Sequence, residues 1–452
     1  MASADAATVP LPPKVTGLSL AQRLDALRNF HTGAAVLRDH GGPVVRVPIG
    51  PPRVTPRFVV VTSPRGAHDV LAGFDGTVDK GVQVQEETKH LGLSSFNLQH
   101  QPWKPRRRTL QPLFTKKHVR DFAVHMSTEA ALAADRAVAA GRVELDPFTR
   151  RLTLQVLGRS VLGQELGPRA GAMAEDFDTL LRYFTDRGMA PVRSPARLPT
   201  RANRRFARAR SRFLAVIDEA VDQCRRDPDH PAELIRLLLE ARDPETGRAL
   251  TDDEIRGEIA AFLVAGHDTT ATTLCYSLWA LGRDARLQDR VAEEAAGLGP
   301  RPLDADDVPS LGLTTRVVHE SLRLCPPAAV VARLAVRDVQ VDGYLVPAGS
   351  SIAVGIMALH TDAALWDEPE CFDPDRFLPE PSKERDRWQY LPFGAGPRSC
   401  IGDHFAMLEA TLGLATIIRA TRIEALETDF PLAVPFTMTA GGPIPAAVTA
   451  RD

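Results

Sequence analysis

The sequence lacks the features that define several protein classes. Five cysteines in 452 residues, an odd number without a Cys-x-x-Cys pair, exclude a disulfide framework and a cysteine zinc site and favour a reducing compartment. The formal net charge is only -2, so nucleic acid is not an expected partner. No apolar run is long enough to span a bilayer, and the first residues show no targeting pattern. We therefore expect a cytoplasmic protein without a membrane anchor.

The composition is otherwise that of a large globular protein. Hydrophobic residues make up 44% and charged residues 25% of the chain, which is enough for a sizeable core. Lysine contributes seven of the 55 basic residues and alanine is abundant, which indicates a GC-rich bacterial genome. Residues 1–18 contain Pro10, Pro12 and Pro13 and predict a loose lead-in. We expect one folded domain over residues 19–452.

Hydrophobic spacing predicts an α+β fold that is mainly α-helical with small β-sheets. Val44–Val47 and Phe58–Thr62 flank a Gly-Pro-Pro segment and predict a β-hairpin. Helical spacing then dominates from Arg106 to about Gly299. Short strands are predicted within residues 334–354.

The clearest helix signal begins at Thr251. Thr251 and Glu254 form a capping box, and no proline follows until beyond Arg283. Because this stretch is apolar almost all round, it predicts a long helix through the core. A second helix is predicted from just after Cys400 to about Arg419.

The strongest chemical signal is the glycine-rich segment from Phe393 to Gly402, which contains Cys400. A cysteine at the start of a helix meets free N–H groups and the positive end of the helix dipole, which favour the thiolate. A thiolate held in this way is a good ligand for haem iron. The other four cysteines have no such context and are interpreted as inert.

This segment resembles the ligand loop of the cytochrome P450 haem-thiolate monooxygenases, Phe-x-x-Gly-x-Arg-x-Cys-x-Gly. The matching residues are Phe393, Gly396, Arg398, Cys400 and Gly402. The resemblance implies that Cys400 is the axial ligand of heme b (iron protoporphyrin IX), that Phe393 packs against the sulfur, and that Arg398 reaches a haem propionate. It also implies a long central helix over the haem.

A second family motif is Glu-x-x-Arg, which matches Glu320 to Arg323, 80 residues before Cys400. The segment Pro374-Asp375-Arg376-Phe377 resembles a further family box. By resemblance, Glu320, Arg323 and Arg376 form a buried network in which one carboxylate accepts hydrogen bonds from two guanidinium groups. Its expected role is structural, because it would hold the loop that presents Cys400.

A third match lies within the long helix, where Gly266, His267, Asp268 and Thr269 interrupt an apolar stretch. Polar residues and a glycine are poor choices for a core helix, so they indicate function. We expect a local opening of the helix near Gly266. By resemblance, Thr269 donates a hydrogen bond to bound oxygen and Asp268 controls the proton supply, both catalytic roles. His267 is interpreted as a core histidine without a ligand role.

Further haem contacts are implied by resemblance. Trp103 and Arg107 match a family Trp-x-x-x-Arg segment, and Arg333 matches a propionate-binding arginine in a strand. His100 is a weaker propionate candidate. Pro105 lies inside the first segment, so we expect that helix to begin at about Lys104.

The resemblance implies an enzyme that activates O2 and hydroxylates or epoxidises a small molecule. We expect no fused reductase, because only 52 residues follow Cys400. Electrons would then come from a ferredoxin and an NAD(P)H-dependent ferredoxin reductase, and we expect a monomer. An acidic ferredoxin is expected to dock on a basic patch. The predicted patch consists of Arg106, Arg107, Arg108, Lys116, Lys117 and Arg120.

The segments expected nearest the haem are mostly apolar, which favours a terpenoid, steroid or fatty acid substrate. The residues expected to line the pocket are Ala261, Phe262, Ala265, Gly266, Val330 and Met438. The segments expected to contribute to it are Gly81–Phe96, Thr179–Ala202, Ala261–Gly266, Ala328–Val331 and Phe436–Thr439. Two alternatives remain open: a peroxide-driven peroxygenase of the same fold, and a non-catalytic haem sensor or carrier. Asp268 and Thr269 favour oxygen activation over both.

Overall fold

The computed structural model describes residues 9–51, 55–81, 89–167, 169–189, 195, 198–434 and 437–451. This part of the chain is mostly helical with small sheets, which confirms the predicted fold class. The helices are α1 Leu20–Arg28, α2 Phe30–Asp39, α3 Pro64–Leu71, α4 His100–Leu110, α5 Lys116–Val119, α6 Ala123–Ala140, α7 Leu145–Ser160, α8 Arg169–Met189, α9 Arg201–Arg226, α10 Glu233–Glu240, α11 Asp252–Arg283, α12 Ala285–Ala296, α13 Gly312–Leu324, α14 Ile356–His360, α15 Pro379–Glu384 and α16 Asp403–Ala420. The strands are β1 Val44–Val47, β2 Arg57–Val61, β3 Val78–Asp79, β4 Arg142–Glu144, β5 Val330–Ala335, β6 Val339–Val341, β7 Tyr344–Val346, β8 Ser350–Gly355, β9 Thr421–Ala425, β10 Leu432–Ala433, β11 Thr439–Ala440 and β12 Pro445–Ala450.

The chain divides into two compact units. The smaller unit contains the described residues up to 81 together with 328–371 and 384–400, and the larger unit contains 89–327, 372–383 and 401–451. The first unit holds a five-stranded sheet in the order β1-β2-β8-β5-β3. The second unit holds α4 to α13 and α16, with the sheet β4-β12-β9 and the hairpin β10-β11.

The predicted hairpin forms the edge of the sheet in the smaller unit. β1 and β2 pair antiparallel with Val44 opposite Val61, and β2 pairs parallel with β8. Successive side chains point to opposite faces of a strand. Val59 and Val61 therefore enter one hydrophobic core, while Val60 enters the core formed with α1 and α2. Both faces of this sheet are covered.

The predicted long helix is α11, and its start is confirmed. Thr251 accepts a hydrogen bond from the backbone N–H of Glu254, and the Glu254 carboxylate accepts one from Thr251 N. The expected opening near Gly266 is wrong, because α11 is continuous from Asp252 to Arg283. Gly266 instead packs against α7, where an added Cβ would lie 3.2 Å from the Leu157 side chain.

The expected start of α4 is also wrong. This helix begins at His100, so Pro105 lies inside it rather than in its first turn. A proline at that position removes one helical hydrogen bond. The Thr109 hydroxyl donates to the Pro105 carbonyl at 2.9 Å within the same helix. Among the described residues, no helix is both long and apolar enough to cross a bilayer.

Candidate active site

The loop that carries Cys400 lies in the smaller unit and is folded tightly. The Cys400 N–H donates to the Phe393 carbonyl at 2.9 Å, so the two matched residues are brought together. Gly396 has φ +69°, and a Cβ there would lie 1.8 Å from the Leu71 carbonyl oxygen. Only glycine fits this turn. Cys400 is exposed and three residues before α16, whose N-cap is Gly402.

A cluster of cations lies in the same unit. Arg398 Nη2 lies 2.7 Å from an Asp79 carboxylate oxygen, and Arg333 is buried with its Nη1 donating to the Ala332 carbonyl. Burial and the nearby Arg398 lower the pKa of Arg333 to about 10. Burial, Arg333 and Arg398 together lower the pKa of Lys80 to about 7.

The Asp79 carboxylate thus lies near three basic side chains. Basic side chains grouped in this way favour an anionic ligand. The propionates of a haem are carboxylates of this kind, so the donor set fits the group that the sequence implied. Arg333 and Arg398 were predicted as propionate contacts, but Asp79 and Lys80 were not, because no motif marks them.

The larger unit contains the predicted glutamate-arginine network. Arg323 Nε and Nη2 donate to the two oxygens of Glu320, each at 2.7 Å, and both side chains are fully buried. Arg376 Nε lies 3.5 Å from Glu320, and the Asp373 N–H donates to the same carboxylate at 2.9 Å. One carboxylate therefore faces two guanidinium groups and one backbone donor, an arrangement that needs the planar fork of arginine.

The helix α11 presents an accessible face at its centre. Ala261, Ala265 and Thr269 are spaced by four residues and lie on one side of the helix, where Ala265 is exposed. The Thr269 hydroxyl donates to the Ala265 carbonyl at 2.8 Å. Phe262, next to this face, contacts Phe114 with ring centroids 4.8 Å apart. A hydroxyl and small side chains on an open helix face suit a bound small molecule.

Asp268, beside Thr269, points away from that face into the interior. It is buried and accepts a hydrogen bond from Arg150 on α7. Arg150 Nε also donates to Asp146 at 2.9 Å. Burial raises the pKa of Asp268, and the Arg150 guanidinium opposes that rise. Arg150 was missed by the sequence argument, because its partner is 118 residues away.

His267 lies beside this ion pair as a buried histidine. Its Nδ1 is 3.0 Å from the Thr153 hydroxyl, and its ring packs 5.2 Å from that of Phe177. Burial and the nearby Arg150 lower the pKa of His267 to about 3, so its ring is neutral. The described residues contain no cluster of three or more His, Cys, Asp and Glu side chains that could hold a metal ion.

The other predicted contact residues are distributed over several elements. Trp103 and His100 are buried on α4 with stacked rings 6.3 Å apart, and Arg107 is half-buried on the same helix. Val330 is half-buried on β5 of the smaller unit, whereas Met438 of the larger unit is fully buried. Parts of the predicted pocket lie outside the described residues, namely 82–88, 190–194, 196–197 and 436.

The predicted basic patch is wrong in part, because three of its six residues are paired with acidic side chains. Arg106 is buried and lies 2.8 Å from Glu258, whose carboxylate also accepts two hydrogen bonds from Ser95. Arg108 donates twice to Asp243, and Arg120 pairs with Asp306 at 2.6 Å. Because these three cations already have anionic partners, the exposed charge of the patch is reduced. Lys116, Lys117 and Arg120 are exposed, and the two lysines have no ion pair within the described part of the chain.

Comparisons with known proteins identify the family to which the sequence belongs. The Cytochrome P450 family model matches residues 10–445. A cyclooctat-9-en-7-ol 5-monooxygenase of Streptomyces melanosporofaciens is 32% identical over 84% of this chain and 83% of its own length. A cyclooctatin synthase of the same organism is 34% identical over 77% of each chain, and a pentalenene oxygenase of Streptomyces avermitilis is 32% identical over 84% of each. The chain therefore belongs to the cytochrome P450 family, in which it is a haem-binding monooxygenase.

Proposed function

We propose that this enzyme inserts one oxygen atom of O2 into a terpenoid. The substrate class rests on three relatives that match over 77% to 84% of the chain and modify terpenoids: the cyclooctat-9-en-7-ol 5-monooxygenase, the cyclooctatin synthase and the pentalenene oxygenase. The mostly apolar α11 face agrees with an apolar substrate. The reaction would consume one O2, one NAD(P)H and one proton for each molecule of alcohol or epoxide and of water formed.

The cofactor is proposed to be heme b. Cys400 would supply the axial thiolate, with Phe393 held beside it, and the cation cluster of Arg333, Arg398 and Lys80 would neutralise propionate charge. Trp103, Arg107 and His100 on α4 are proposed as further haem contacts. When bound, the haem supplies dioxygen binding and stepwise reduction, and its thiolate ligand favours cleavage of the O–O bond.

The observation that carries the oxygenase proposal is the pairing of Thr269 with Asp268 on α11. Thr269 places a hydroxyl on the accessible face, and its neighbour Asp268 is a buried acid held by Arg150. The Thr269 hydroxyl can donate a proton to reduced oxygen. The Asp268 side chain can then return a proton to that hydroxyl, either by rotating towards it or through a bridging water molecule. A peroxygenase would not need this proton supply, and a haem sensor or carrier would need neither residue.

Electrons are proposed to come from a separate ferredoxin and its NAD(P)H-dependent reductase. The exposed Lys116 and Lys117 are the remaining candidates for an acidic partner's contact. A fall in the second-order reduction rate on charge reversal at both lysines would support this docking. A rate unchanged by that reversal would count against it.

The function is tested with the holoenzyme, ferredoxin, reductase and NAD(P)H. A panel of terpenoid hydrocarbons and alcohols, with steroids and fatty acids as comparison, is first screened for substrate-induced spin-state shifts of the ferric haem. Compounds that bind are then turned over under 18O2. We expect terpenoids to give the largest shifts and products that carry one labelled oxygen atom. Equal turnover with hydrogen peroxide alone would instead identify a peroxygenase, and binding without turnover would identify a sensor or carrier.

A further inference from the structure

A line of arginines runs along the outer face of α9. Its members are Arg201, Arg204, Arg205, Arg208 and Arg212, and all five are exposed. Arg201, Arg205, Arg208 and Arg212 are spaced by three or four residues, and Arg204 is adjacent to Arg205, so the five lie on one side of the helix over about 16 Å. The opposite side carries the buried residues Phe206, Phe213 and Ile217. We call these five residues the arginine stripe.

The stripe carries charge of one sign and little compensation. Arg212 pairs with Asp176 of α8, whereas Arg201, Arg204, Arg205 and Arg208 have no ion pair within the described part of the chain. Like charges one turn apart repel each other on a helix. An ordinary solvated face mixes both signs, which avoids this repulsion. The four arginines of the stripe without an ion pair are therefore suited to an anionic partner.

One exposed apolar side chain adjoins the stripe along the chain. Leu198, three residues before Arg201, is 49% exposed. Cations next to an exposed apolar side chain are typical of surfaces that rest on a lipid headgroup layer.

We propose that the arginine stripe binds the anionic headgroups of a lipid bilayer. A guanidinium fork binds phosphate through two hydrogen bonds, and each cation near an anionic surface strengthens attachment by roughly fivefold. A protein interface has an apolar centre and a polar rim, whereas here the surface is cationic along α9 and the exposed Leu198 lies at its end. The observed arrangement therefore favours the lipid surface over an acidic protein.

The test compares binding of the holoenzyme to vesicles of phosphatidylcholine alone and of phosphatidylcholine with phosphatidylglycerol. The variant carries Arg204→Gln, Arg205→Gln and Arg208→Gln. A matched control carries Arg136→Gln, Arg286→Gln and Arg290→Gln, which removes the same charge from exposed arginines of α6 and α12. We expect salt-sensitive binding to the anionic vesicles only, a fall on the order of 100-fold in the stripe variant, and little change in the control.

Three outcomes would overturn the proposal. The first is failure of the wild-type holoenzyme to bind anionic vesicles at low salt. The second is an equal loss of binding in both triple variants, which would indicate that net charge and not the stripe determines binding. The third is unchanged vesicle binding together with slower reduction by an acidic ferredoxin in the stripe variant, which would identify a protein-docking surface. The haem absorbance spectrum of each variant shows whether it is folded, and exposed substitutions should leave it unchanged.

Discussion

Arg150 of α7 donates a hydrogen bond to the carboxylate of Asp268 of α11, and both side chains are largely buried in the larger unit. This contact joins the acid next to Thr269 to a cation that also binds Asp146. A buried carboxylate without a partner loses its hydration and becomes neutral. Arg150 therefore favours the charged form of Asp268 and fixes its orientation.

We predict that Arg150→Gln destabilises the holoenzyme by about 3 kcal/mol, because removal of one partner leaves a buried carboxylate unpaired. Urea unfolding measures the change. The neighbouring Arg151 is exposed and has no ion pair in the described structure, so Arg151→Gln is the matched control. Adding Asp268→Asn to Arg150→Gln should recover much of the loss, since an amide carries no charge. Equal stability of the two single variants would contradict the role of Arg150.

Glu409 of α16 leads to a pH-dependent prediction. It is 1% exposed, neither carboxylate oxygen has a hydrogen-bond partner among the described residues, and burial raises its pKa well above the usual value. The folded state therefore holds this proton at a pH at which the unfolded chain has released it. The stabilisation linked to this proton is complete below the pKa of Glu409 in the unfolded chain. It is lost as the pH rises through the pKa of Glu409 in the folded protein.

Glu409→Gln should accordingly match the wild type in mild acid and exceed it at pH 8, by roughly 1–3 kcal/mol. Urea unfolding of both holoenzymes across this pH range measures the difference. Glu424→Gln on the exposed side of β9 is the control and should leave the pH dependence unchanged. A constant difference between Glu409→Gln and the wild type at every pH would argue against a buried neutral acid.

Local sequence signals predicted the elements that depend on neighbouring residues. The capping box of Thr251 and Glu254 located the start of α11, and two valine-rich runs separated by a Gly-Pro-Pro segment located β1 and β2. The two errors, at Gly266 and Pro105, concern tertiary context. A glycine within a helix is compatible with an opening or with close packing, and only the approach of Leu157 decides for packing.

The residues of the candidate active site were also predicted only where local sequence signals mark them. The motifs gave Cys400, Glu320 and Arg323 because their spacing is fixed along the chain. They could not give Arg150 or Asp79, whose contacts join residues 118 and 319 positions apart. Arginine is common throughout this sequence, so a buried arginine looks no different from an exposed one until its partner is known.

The geometry around Glu320 predicts that Arg323→Lys is not conservative. A lysine supplies the charge but cannot make both 2.7 Å hydrogen bonds of the guanidinium group. We expect a loss of about 2–4 kcal/mol in stability and a lower haem content. Arg316→Lys on the same helix is the control, because Arg316 makes a single 3.3 Å contact with Asp375. Similar haem content in both variants would contradict the proposed role of the network.

Cys400 is the proposed haem ligand, and its replacement tests this directly. Cys400→His should still bind haem, but its ferrous carbon monoxide complex should lose the red-shifted absorption band that thiolate ligation produces. Cys371 is the other exposed cysteine, so Cys371→Ser is the control and should keep the band. Retention of the band in Cys400→His would show that another residue ligates the iron.

Thr269 separates an oxygenase from a peroxygenase. Its hydroxyl is on the accessible face of α11, one residue after the buried Asp268, and it is proposed to hold the proton that reduced oxygen needs. A positioned proton donor contributes roughly 10²- to 10⁴-fold to the step that uses it and little to substrate binding. Thr269→Ala should therefore keep the substrate-induced spin shift and the consumption of NAD(P)H. Most of the electrons should appear in hydrogen peroxide instead of product.

The deciding measurement is the yield of product per NAD(P)H. Thr273→Ala is the matched control, because its hydroxyl lies one turn further along α11, is buried and donates to the Thr269 carbonyl at 3.0 Å. It should keep the wild-type yield. Product formation driven by added hydrogen peroxide brings its own protons, so it should fall less in Thr269→Ala than the NAD(P)H-driven reaction. Equal yields in Thr269→Ala and the wild type would remove Thr269 from proton delivery and favour the peroxygenase.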